Sequence, residues 1–219
     1  MIDFSMEKPA QSIHNEPIKY LCVFCGSSAG SDPAYLEAAA EMGRCLVRHG
    51  YGLVYGGGST GMMGTVARTV LKENSRVIGV IPRYLFERDA GFKQLSDLRV
   101  VENMHTRKQL MFDLSDGFIA MPGGFGTLEE IFEVITWGQL GIHQKPCGLL
   151  NARGYFEYLL RYLKKMQEQC FITRDHLDML ISESDPDALL EKMNTYQPPF
   201  LDKVADAFNN FHSDKARKK

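Results

Sequence analysis

The chain has 219 residues, of which 44% are hydrophobic and 24% are charged, and its formal net charge is -2. This composition is typical of a globular protein with one sizeable core, so we expect a single domain. The near-neutral charge offers no broad basic surface for nucleic acid, and no apolar run reaches the ~18 residues that a membrane helix needs. Residues 1–17 lack the apolar segment of a secretory signal. We therefore expect a cytoplasmic protein without a nucleic-acid or membrane partner.

Short apolar runs alternate with helical patterns along the chain. The predicted strands are mostly continuous apolar runs, and they lie at 18–24, 53–55, 77–81, 98–101, 118–121, 146–150 and 180–182. Helical periodicity, caps and glycine stops predict helices at 32–49, 65–73, 104–115, 127–141, 155–169 and 186–193. Strands of this kind are typical of a parallel sheet covered on both faces, which predicts a doubly wound α/β fold. We place this domain at 18–196, between a flexible arm at 1–17 and a polar tail at 197–219.

Three loops rich in glycine or serine follow predicted strands, and ligands of a doubly wound sheet bind at the carboxyl ends of its strands. The three loops lie at 25–31, 56–64 and 122–127. In the loop at 56–64, Gly56, Gly58 and Gly61 have the spacing of a dinucleotide-binding turn. That interpretation needs an acidic residue at the end of the next strand, where the sequence is Val-Ile-Pro-Arg at 80–83. A phosphate or ribose contact from Gly57 and Gly58 fits better, although a tight turn alone would also require glycine.

The stretch Pro122–Glu130 (Pro-Gly-Gly-Phe-Gly-Thr-Leu-Glu-Glu) lies between a buried strand and a helix. Backbone N–H groups at such a helix N-terminus are unpaired and bind phosphate well. Glu129 and Glu130 are predicted to lie in the first helical turn, which stabilises an ionised carboxylate. A phosphate cradle beside a carboxylate is a candidate active site. Thr127 and Glu130 also have the spacing of a capping box, which would explain both residues without catalysis.

A second helix start lies at the same predicted edge of the sheet. Asn103 can cap a helix that begins at Met104, which brings Arg107 and Lys108 to the rim that carries the glycine loops. Arg107 would orient a ligand or stabilise charge there, because the pKa of a guanidinium is too high for ready proton transfer. Two adjacent cations on a helix are also common as a solvated surface, so this interpretation stays open.

The chain has five cysteines, and Cys22 and Cys25 form a C-x-x-C pair. Cys22 lies inside an apolar strand pattern, and we find no second Cys or His pair with metal-binding spacing. We therefore expect reduced and mostly buried thiols, and a protein with no metal and no cofactor.

Six segments of the chain occur in the same order in one known family. They are residues 24–28 (Phe-Cys-Gly-Ser-Ser), 55–58 (Tyr-Gly-Gly-Gly), 61–64 (Gly-Met-Met-Gly), 104–108 (Met-His-Thr-Arg-Lys), 122–130 and 135–143 (Ile-Thr-Trp-Gly-Gln-Leu-Gly-Ile-His). Over residues 18–193 the chain thus resembles the LONELY GUY (LOG) family, whose members have often been labelled "lysine decarboxylase". The resemblance implies a Rossmann-like fold and a homodimer with active sites near the subunit interface.

The resemblance also implies an activity, which is hydrolysis of the N-glycosidic bond of a purine nucleoside 5'-monophosphate. In cytokinin activation the substrate is an N6-prenylated AMP, and the products are the free base and ribose 5-phosphate. Arg107 and Glu130 match the family's catalytic pair, and the family often has Glu where this chain has Asp89. The substrate-binding positions that we expect from the motifs and the loops are Ser27, Gly57, Gly58, Asp89, Lys108, Gly123, Gly124, Phe125, Gly126, Thr127, Leu128, Glu129 and Thr136.

Two other classes of protein remain as alternatives. One is a carrier of the same fold that binds a nucleotide or cofactor without catalysis, which needs the glycine cradle but not the pairing of Arg107 with Glu130. The other is an amino-acid decarboxylase that uses pyridoxal phosphate and therefore needs a Schiff-base lysine. Lys108, beside the predicted phosphate turn, is the candidate for that lysine.

Overall fold

The computed structural model describes residues 20–88 and 90–199. The predicted arm at 1–17, most of the predicted tail at 197–219, and Asp89 lie outside the described residues. The expectations for those segments therefore stay predictions.

Seven strands form one sheet through the middle of the domain. They are β1 (Tyr20–Phe24), β2 (Gly52–Tyr55), β3 (Val77–Pro82), β4 (Asp97–Val101), β5 (Gly117–Ala120), β6 (Cys147–Leu150) and β7 (Leu180–Glu183). Their order is β4-β3-β2-β1-β5-β6-β7, and every neighbouring pair is parallel. The chain moves outward from β1 to β4 and then returns to the other side of β1 with β5. This reversal of strand order confirms the predicted doubly wound α/β fold.

Helices connect the strands and cover both faces of the sheet. They are α1 (Ala34–Arg48), α2 (Gly61–Lys72), α3 (Arg83–Phe86), α4 (Met104–Asp113), α5 (Phe125–Gln139), α6 (Glu157–Glu168), α7 (Arg174–Asp178) and α8 (Pro186–Asn194), with a 3-10 turn at Ala152–Gly154. Asn103 caps α4 as predicted, since its side chain accepts from the Thr106 N–H. Among the described residues, no helix combines the length and apolarity that crossing a bilayer requires.

Helices α2 and α7 are among the helices that differ from the sequence prediction. Helix α2 begins four residues earlier than predicted, at Gly61, because its glycines pack closely against neighbouring backbone. A Cβ added at Gly61 would lie 2.3 Å from Ser27 O, and one added at Gly64 would lie 2.1 Å from Ser59 O. This packing overrides the low helix propensity of glycine. Helix α7 was not predicted, because five residues carry too little periodicity to detect.

The core has two layers, one on each face of the sheet. Leu21 and Val23 of β1 point into the layer formed with α1, α2 and α8, whereas Cys22 and Phe24 point into the layer formed with α4, α5 and α6. Each fully buried Leu or Phe side chain contributes about 1.5–3 kcal/mol to folding. Four of the five cysteines are buried and all five are free thiols, as expected. With both faces filled by apolar side chains, polar chemistry is confined to the edges of the sheet.

Candidate active site

The three glycine-rich and serine-rich loops meet at the carboxyl edge of the sheet and are joined by hydrogen bonds. The Gly26 N–H donates to Pro122 O at 3.0 Å, and the Met63 N–H donates to Gly26 O at 3.1 Å. The Thr60 hydroxyl donates to Ser27 O at 3.0 Å. Because these loops follow β1, β2 and β5, they form one rim around the point where the strand order reverses. Ligands of doubly wound folds bind at this point.

Arg107 and Glu130 form a buried ion pair at this rim. The Arg107 Nη1 donates to Glu130 Oε1 at 2.6 Å, and the two residues are only 5% and 4% exposed. The Arg107 Nε also donates to the carbonyl of Val80, near the end of β3, at 3.0 Å. A Cβ on Gly56 would lie 2.0 Å from Arg107 Nη2, so only glycine leaves room for the guanidinium there. The structure thus brings together the two residues that the family resemblance implies as a catalytic pair, and two hydrogen bonds hold the guanidinium.

The environment of Glu130 shifts the pKa of its carboxyl group. Burial raises the pKa of the Glu130 carboxyl above its ordinary value of 4.5, and the Arg107 guanidinium opposes this rise. An ionised carboxylate inside a protein is costly unless it is paired, and Arg107 supplies the pair. A carboxyl group whose pKa is raised titrates closer to neutral pH, which suits acid–base chemistry.

Helix α5 begins at an open glycine turn. Its N-cap is Gly124, which has no side chain to cap the helix, and its first helical residue is Phe125. The first N–H groups of a helix have no partner within the helix, so those from Gly124 to Thr127 can bind an anion. The side chain of Phe125 is 94% exposed, whereas Thr127 is buried. The predicted phosphate turn is therefore a helix start at the rim.

Two predictions about this helix start are wrong. Glu129 and Glu130 lie in the second turn of α5, because the helix begins two residues earlier than predicted, and its first turn contains no acid. The capping box is also absent, since Thr127 is the third helical residue and Gly124 takes the cap position. Glu130 bonds to Arg107 instead. The dipole of the helix acts mainly within the first turn, so Arg107 is the main source of stabilisation for the Glu130 carboxylate.

Packing within the protein requires glycine at only some positions of this turn. A Cβ on Gly123 would lie 2.1 Å from Thr127 Oγ1, so packing within the protein requires glycine there. A Cβ on Gly124 or Gly126 would meet no atom within 4 Å. Gly124 has a φ of -94°, which any residue can adopt. Nothing in the fold therefore requires glycine at positions 124 and 126, and a ligand that approaches the backbone closely would explain both.

Lys108 lies beside the pair and binds two carboxylates of α5. Its Nζ donates to Glu129 and, at 2.9 Å, to Glu133 Oε1. Burial lowers the pKa of Lys108, but the two carboxylates outweigh this effect and its pKa is raised. The lysine is therefore held as a cation. Sequence reasoning missed Glu133, although its spacing of four residues from Glu129 places both on one face of a helix.

Three further predicted contacts lie on the first two loops of the rim. Ser27 is exposed after β1. Gly57 has a φ of 74°, and a Cβ there would lie 3.1 Å from the Ile81 Cβ, so packing and backbone conformation account for this glycine. Gly58 forms an isolated β-bridge with Gly91. The substrate contacts assigned to these residues stay predictions.

The remaining predicted contacts are spread along α5 or lie outside the described residues. Leu128 is partly buried and packs against the core. Thr136 lies nine residues after Thr127, which is about 14 Å along the helix axis, so the structure does not bring it to the phosphate turn. Its hydroxyl donates to Phe132 O at 2.6 Å. Asp89 lies outside the described residues.

A group of potential metal ligands lies at the C-terminal end of α1, away from the rim. Atoms of Cys45, His49 and Asp187 lie within 4.8 Å of one another. The Asp187 carboxylate is already paired with Arg48 at 2.6 Å. Burial raises the pKa of the Cys45 thiol to about 12, so the thiolate that a metal prefers is unfavourable. We assign this group to hydrogen bonding between α1 and α8 and not to a metal.

Comparisons with known proteins identify the family. The family model described as "Possible lysine decarboxylase" matches residues 63–193. A probable cytokinin riboside 5'-monophosphate phosphoribohydrolase of Oryza sativa subsp. japonica is 44% identical over 202 residues, which cover 90% of this chain and 89% of that protein. A cytokinin riboside 5'-monophosphate phosphoribohydrolase of Arabidopsis thaliana is 47% identical over 180 residues, which cover 82% of this chain and 84% of that protein.

The chain belongs to the LOG family. This confirms the resemblance seen in the sequence motifs.

Solved structures of other proteins share the fold of this LOG-family chain. The molybdenum cofactor binding protein from the phototrophic bacterium Rippkaea orientalis has a TM-score of 0.62 and 20% identity, covering 81% of this chain and 96% of that one. The molybdenum cofactor carrier protein from Chlamydomonas reinhardtii has a TM-score of 0.61 and 19% identity, covering 81% of this chain and 99% of that one. At this level of identity the likeness shows the Rossmann-like fold alone.

The open glycines of this LOG-family chain provide a test of the anion site. The substitution Gly126→Ala should keep or raise the melting temperature. Alanine in place of glycine stabilises the folded protein by about 0.4–1 kcal/mol where the added methyl group meets no other atom. The same change should weaken the binding of inorganic phosphate severalfold, because the methyl group narrows the approach to the N–H groups. Thermal unfolding and calorimetric titration measure the two effects.

Gly123→Ala is the contrasting variant. Its Cβ would lie 2.1 Å from Thr127 Oγ1, so this variant should unfold at a lower temperature than the wild type. Unchanged phosphate binding in a stable Gly126→Ala protein would place the anion elsewhere.

Proposed function

We propose that this protein hydrolyses the N-glycosidic bond of a purine nucleoside 5'-monophosphate, with AMP or an N6-modified AMP as the substrate. The products are the free purine base and ribose 5-phosphate. The observation that carries the proposal is the buried pair of Arg107 and Glu130, 2.6 Å apart, beside an open helix start. The names of curated relatives that are 44–47% identical support the same reaction.

The 5'-phosphate binds at the N-terminus of α5. The N–H groups from Gly124 to Thr127 point out of the helix start and carry its partial positive charge, which suits a phosphate. Lys108, held as a cation close to the same helix, adds positive charge to the rim. Anchoring the phosphate fixes the ribose in place, so that its C1' atom is presented to Glu130 in one orientation.

Glu130 acts on the C1' atom. As the bond from C1' to the purine nitrogen breaks, its electron pair leaves with the purine and the ribose develops oxocarbenium character. The ionised Glu130 carboxylate stabilises this positive charge and takes a proton from a water molecule, whose oxygen forms the new bond to C1'. The departing purine takes up a proton from solvent and Glu130 releases its proton to solvent, which gives the neutral base and restores the carboxylate. Arg107 occupies one carboxylate oxygen and thereby fixes the orientation of the other.

A carrier without catalysis is the second candidate, because the solved structures with this fold include molybdenum cofactor carriers. Their identity of 19–20% carries the fold and not the function. A carrier needs an anion cradle but gains nothing from a buried carboxylate beside it. Burying Glu130 is costly, and that cost is explained by a reaction that uses the carboxylate.

A pyridoxal-dependent decarboxylase fits the site less well, despite the description of the family model. A lysine that forms a Schiff base must attack as a neutral amine, which requires a lowered pKa. The pKa of Lys108 is instead raised by its two carboxylate partners. The Lys108 environment therefore favours a charge-bearing role over a covalent one.

We also propose a cytoplasmic homodimer. Three large apolar side chains near the two ends of α5 are exposed, namely Phe125 at 94%, Leu140 at 52% and Ile142 at 61%. Leu140 and Ile142 lie two residues apart at one of these ends, and exposed apolar side chains that lie together often mark a surface that is covered in an assembly.

Replacing Glu130→Gln tests the catalytic assignment. Glutamine keeps the size of the side chain and an oxygen that can accept from Arg107, so the protein should still fold and bind ribose 5-phosphate, with a lower melting temperature because the buried guanidinium loses its countercharge. Turnover should fall by about 10²–10⁴, as is typical when a general base is lost. The assay is release of free base from AMP, isopentenyl-AMP, GMP and CMP.

Glu129→Gln is the matched control, since the neighbouring carboxylate is half-exposed and pairs with Lys108. It should retain most of the activity. Near-normal turnover in Glu130→Gln would remove Glu130 from the mechanism. No base release by the wild-type protein from any of the four nucleotides would favour the carrier.

The pH dependence of kcat/KM reports the protonation of Glu130. Because the ionised carboxylate is required, kcat/KM should rise with pH, with a midpoint above 4.5 because burial raises the pKa. In Arg107→Gln the midpoint of the residual activity should move to still higher pH, since the guanidinium opposes that rise. If the midpoint instead reported protonation of the phosphate group of AMP, it would be the same in Arg107→Gln and in the wild type. An activity that falls as pH rises through the same midpoint would instead make Glu130 the acid.

Light scattering tests the assembly. The wild-type protein should have twice the mass of the 24.7 kDa chain. Ile142→Glu should shift the population toward the monomer, because a charge on a covered apolar surface is unfavourable. A monomeric wild-type protein at micromolar concentration contradicts the dimer without affecting the assignment of the reaction.

A further inference from the structure

The glycine turn before α5 has three successive carbonyl groups, and each is held by a hydrogen bond. Pro122 O accepts from the Gly26 N–H at 3.0 Å, and Gly124 O accepts from the first bonded N–H of α5. Between them, Gly123 O accepts from the Tyr155 hydroxyl at 2.6 Å. The outer two bonds are made by backbone groups, whereas the middle one depends on a side chain.

The middle carbonyl controls the direction of an N–H group in the proposed phosphate site. In a trans peptide, the carbonyl of one residue and the N–H of the next point in opposite directions within one plane. Gly123 O and the Gly124 N–H share such a plane. Holding the oxygen toward Tyr155 therefore directs the Gly124 N–H to the opposite side. Because both residues are glycine, no side chain limits the rotation of this peptide.

Tyr155 is held in place independently of its hydroxyl. It lies just before α6, and its ring makes edge-to-face contacts with Tyr35 at 5.7 Å and Phe156 at 5.1 Å between centroids. These contacts involve only the ring, so a phenylalanine would keep them. The hydroxyl can thus be removed with little change in packing. Sequence reasoning missed Tyr155, since it lies 32 residues from Gly123.

We propose that Tyr155 is a positioning residue for the phosphate anchor, whose hydroxyl holds the Gly123–Gly124 peptide so that the Gly124 N–H faces the 5'-phosphate. This role rests on the proposed function of the site. Tyr155 acts through the turn and does not touch the bond that breaks. The phosphate takes no part in the bond that breaks, and the other N–H groups of the helix start still anchor the ribose, so loss of the hydroxyl should raise KM and leave kcat largely unchanged.

Tyr155→Phe tests this role, with Tyr158→Phe as the matched control. Tyr158 lies on α6 three residues later, and its side chain is 82% exposed. The inhibition constants of ribose 5-phosphate and of adenosine, which lacks the phosphate, are measured in competition with AMP. Inhibition constants do not depend on the fraction of folded enzyme, so a small loss of stability cannot imitate the effect.

In Tyr155→Phe, ribose 5-phosphate should bind about three- to tenfold more weakly, in line with the net contribution of one hydrogen bond. KM for AMP should rise by the same factor, while kcat and the inhibition constant of adenosine stay within twofold of wild type. Tyr158→Phe should match the wild type in every measurement. Equal weakening of both inhibitors, a fall in kcat alone, or no change would overturn the positioning role. If the wild-type protein neither hydrolyses AMP nor binds ribose 5-phosphate, the proposed function fails, whatever Tyr155 does.

Discussion

The buried ion pair of Arg107 and Glu130 is the interaction on which the site depends. Within the described part of the chain, these two are the charged side chains that are buried. Such a pair is a weak source of stability, since an apolar pair of similar volume is often as stable or more so, whereas removal of one partner leaves a costly unpaired charge. The fold therefore does not explain why the pair is present. The proposed reaction at the rim does explain it, because a carboxylate held by arginine in a dry setting is ready to stabilise a developing cation.

The parallel sheet brings these distant residues together. Arg107 follows β4 and Glu130 follows β5, which lie on opposite sides of β1 in the sheet. The guanidinium reaches Glu130 by crossing the open side of Gly56, and it is held on the way by Val80 O. Parallel strands end at one edge, so loops that are remote in sequence meet there. The backbone bonds through Gly26 then tie those loops into one rim.

Local patterns predicted most of the fold, and the family resemblance implied the pair, but neither predicted the contacts that hold the pair. The strands, the cap at Asn103 and the glycine turn were predicted because each is encoded within a few neighbouring residues. The capping box was a wrong interpretation of Thr127 and Glu130, because spacing cannot tell a cap from a helical interior position. Lys108 and Tyr155 depend on partners 21 to 32 residues away, and such contacts follow from strand order.

A single helix carries both the proposed phosphate anchor and the proposed reactive carboxylate. The proposed phosphate site lies at the first residues of α5, and Glu130 lies three residues after Thr127, about 4.5 Å further along the axis. Side chains of a helix lean toward its N-terminus, so the Glu130 carboxyl leans back toward the proposed phosphate site. The separation between anchor and carboxylate is therefore set by helix geometry and not by a flexible loop. In the proposed reaction, precision at the reacting carbon then depends on the glycine turn, which lacks regular structure and whose middle peptide accepts a hydrogen bond from the Tyr155 side chain.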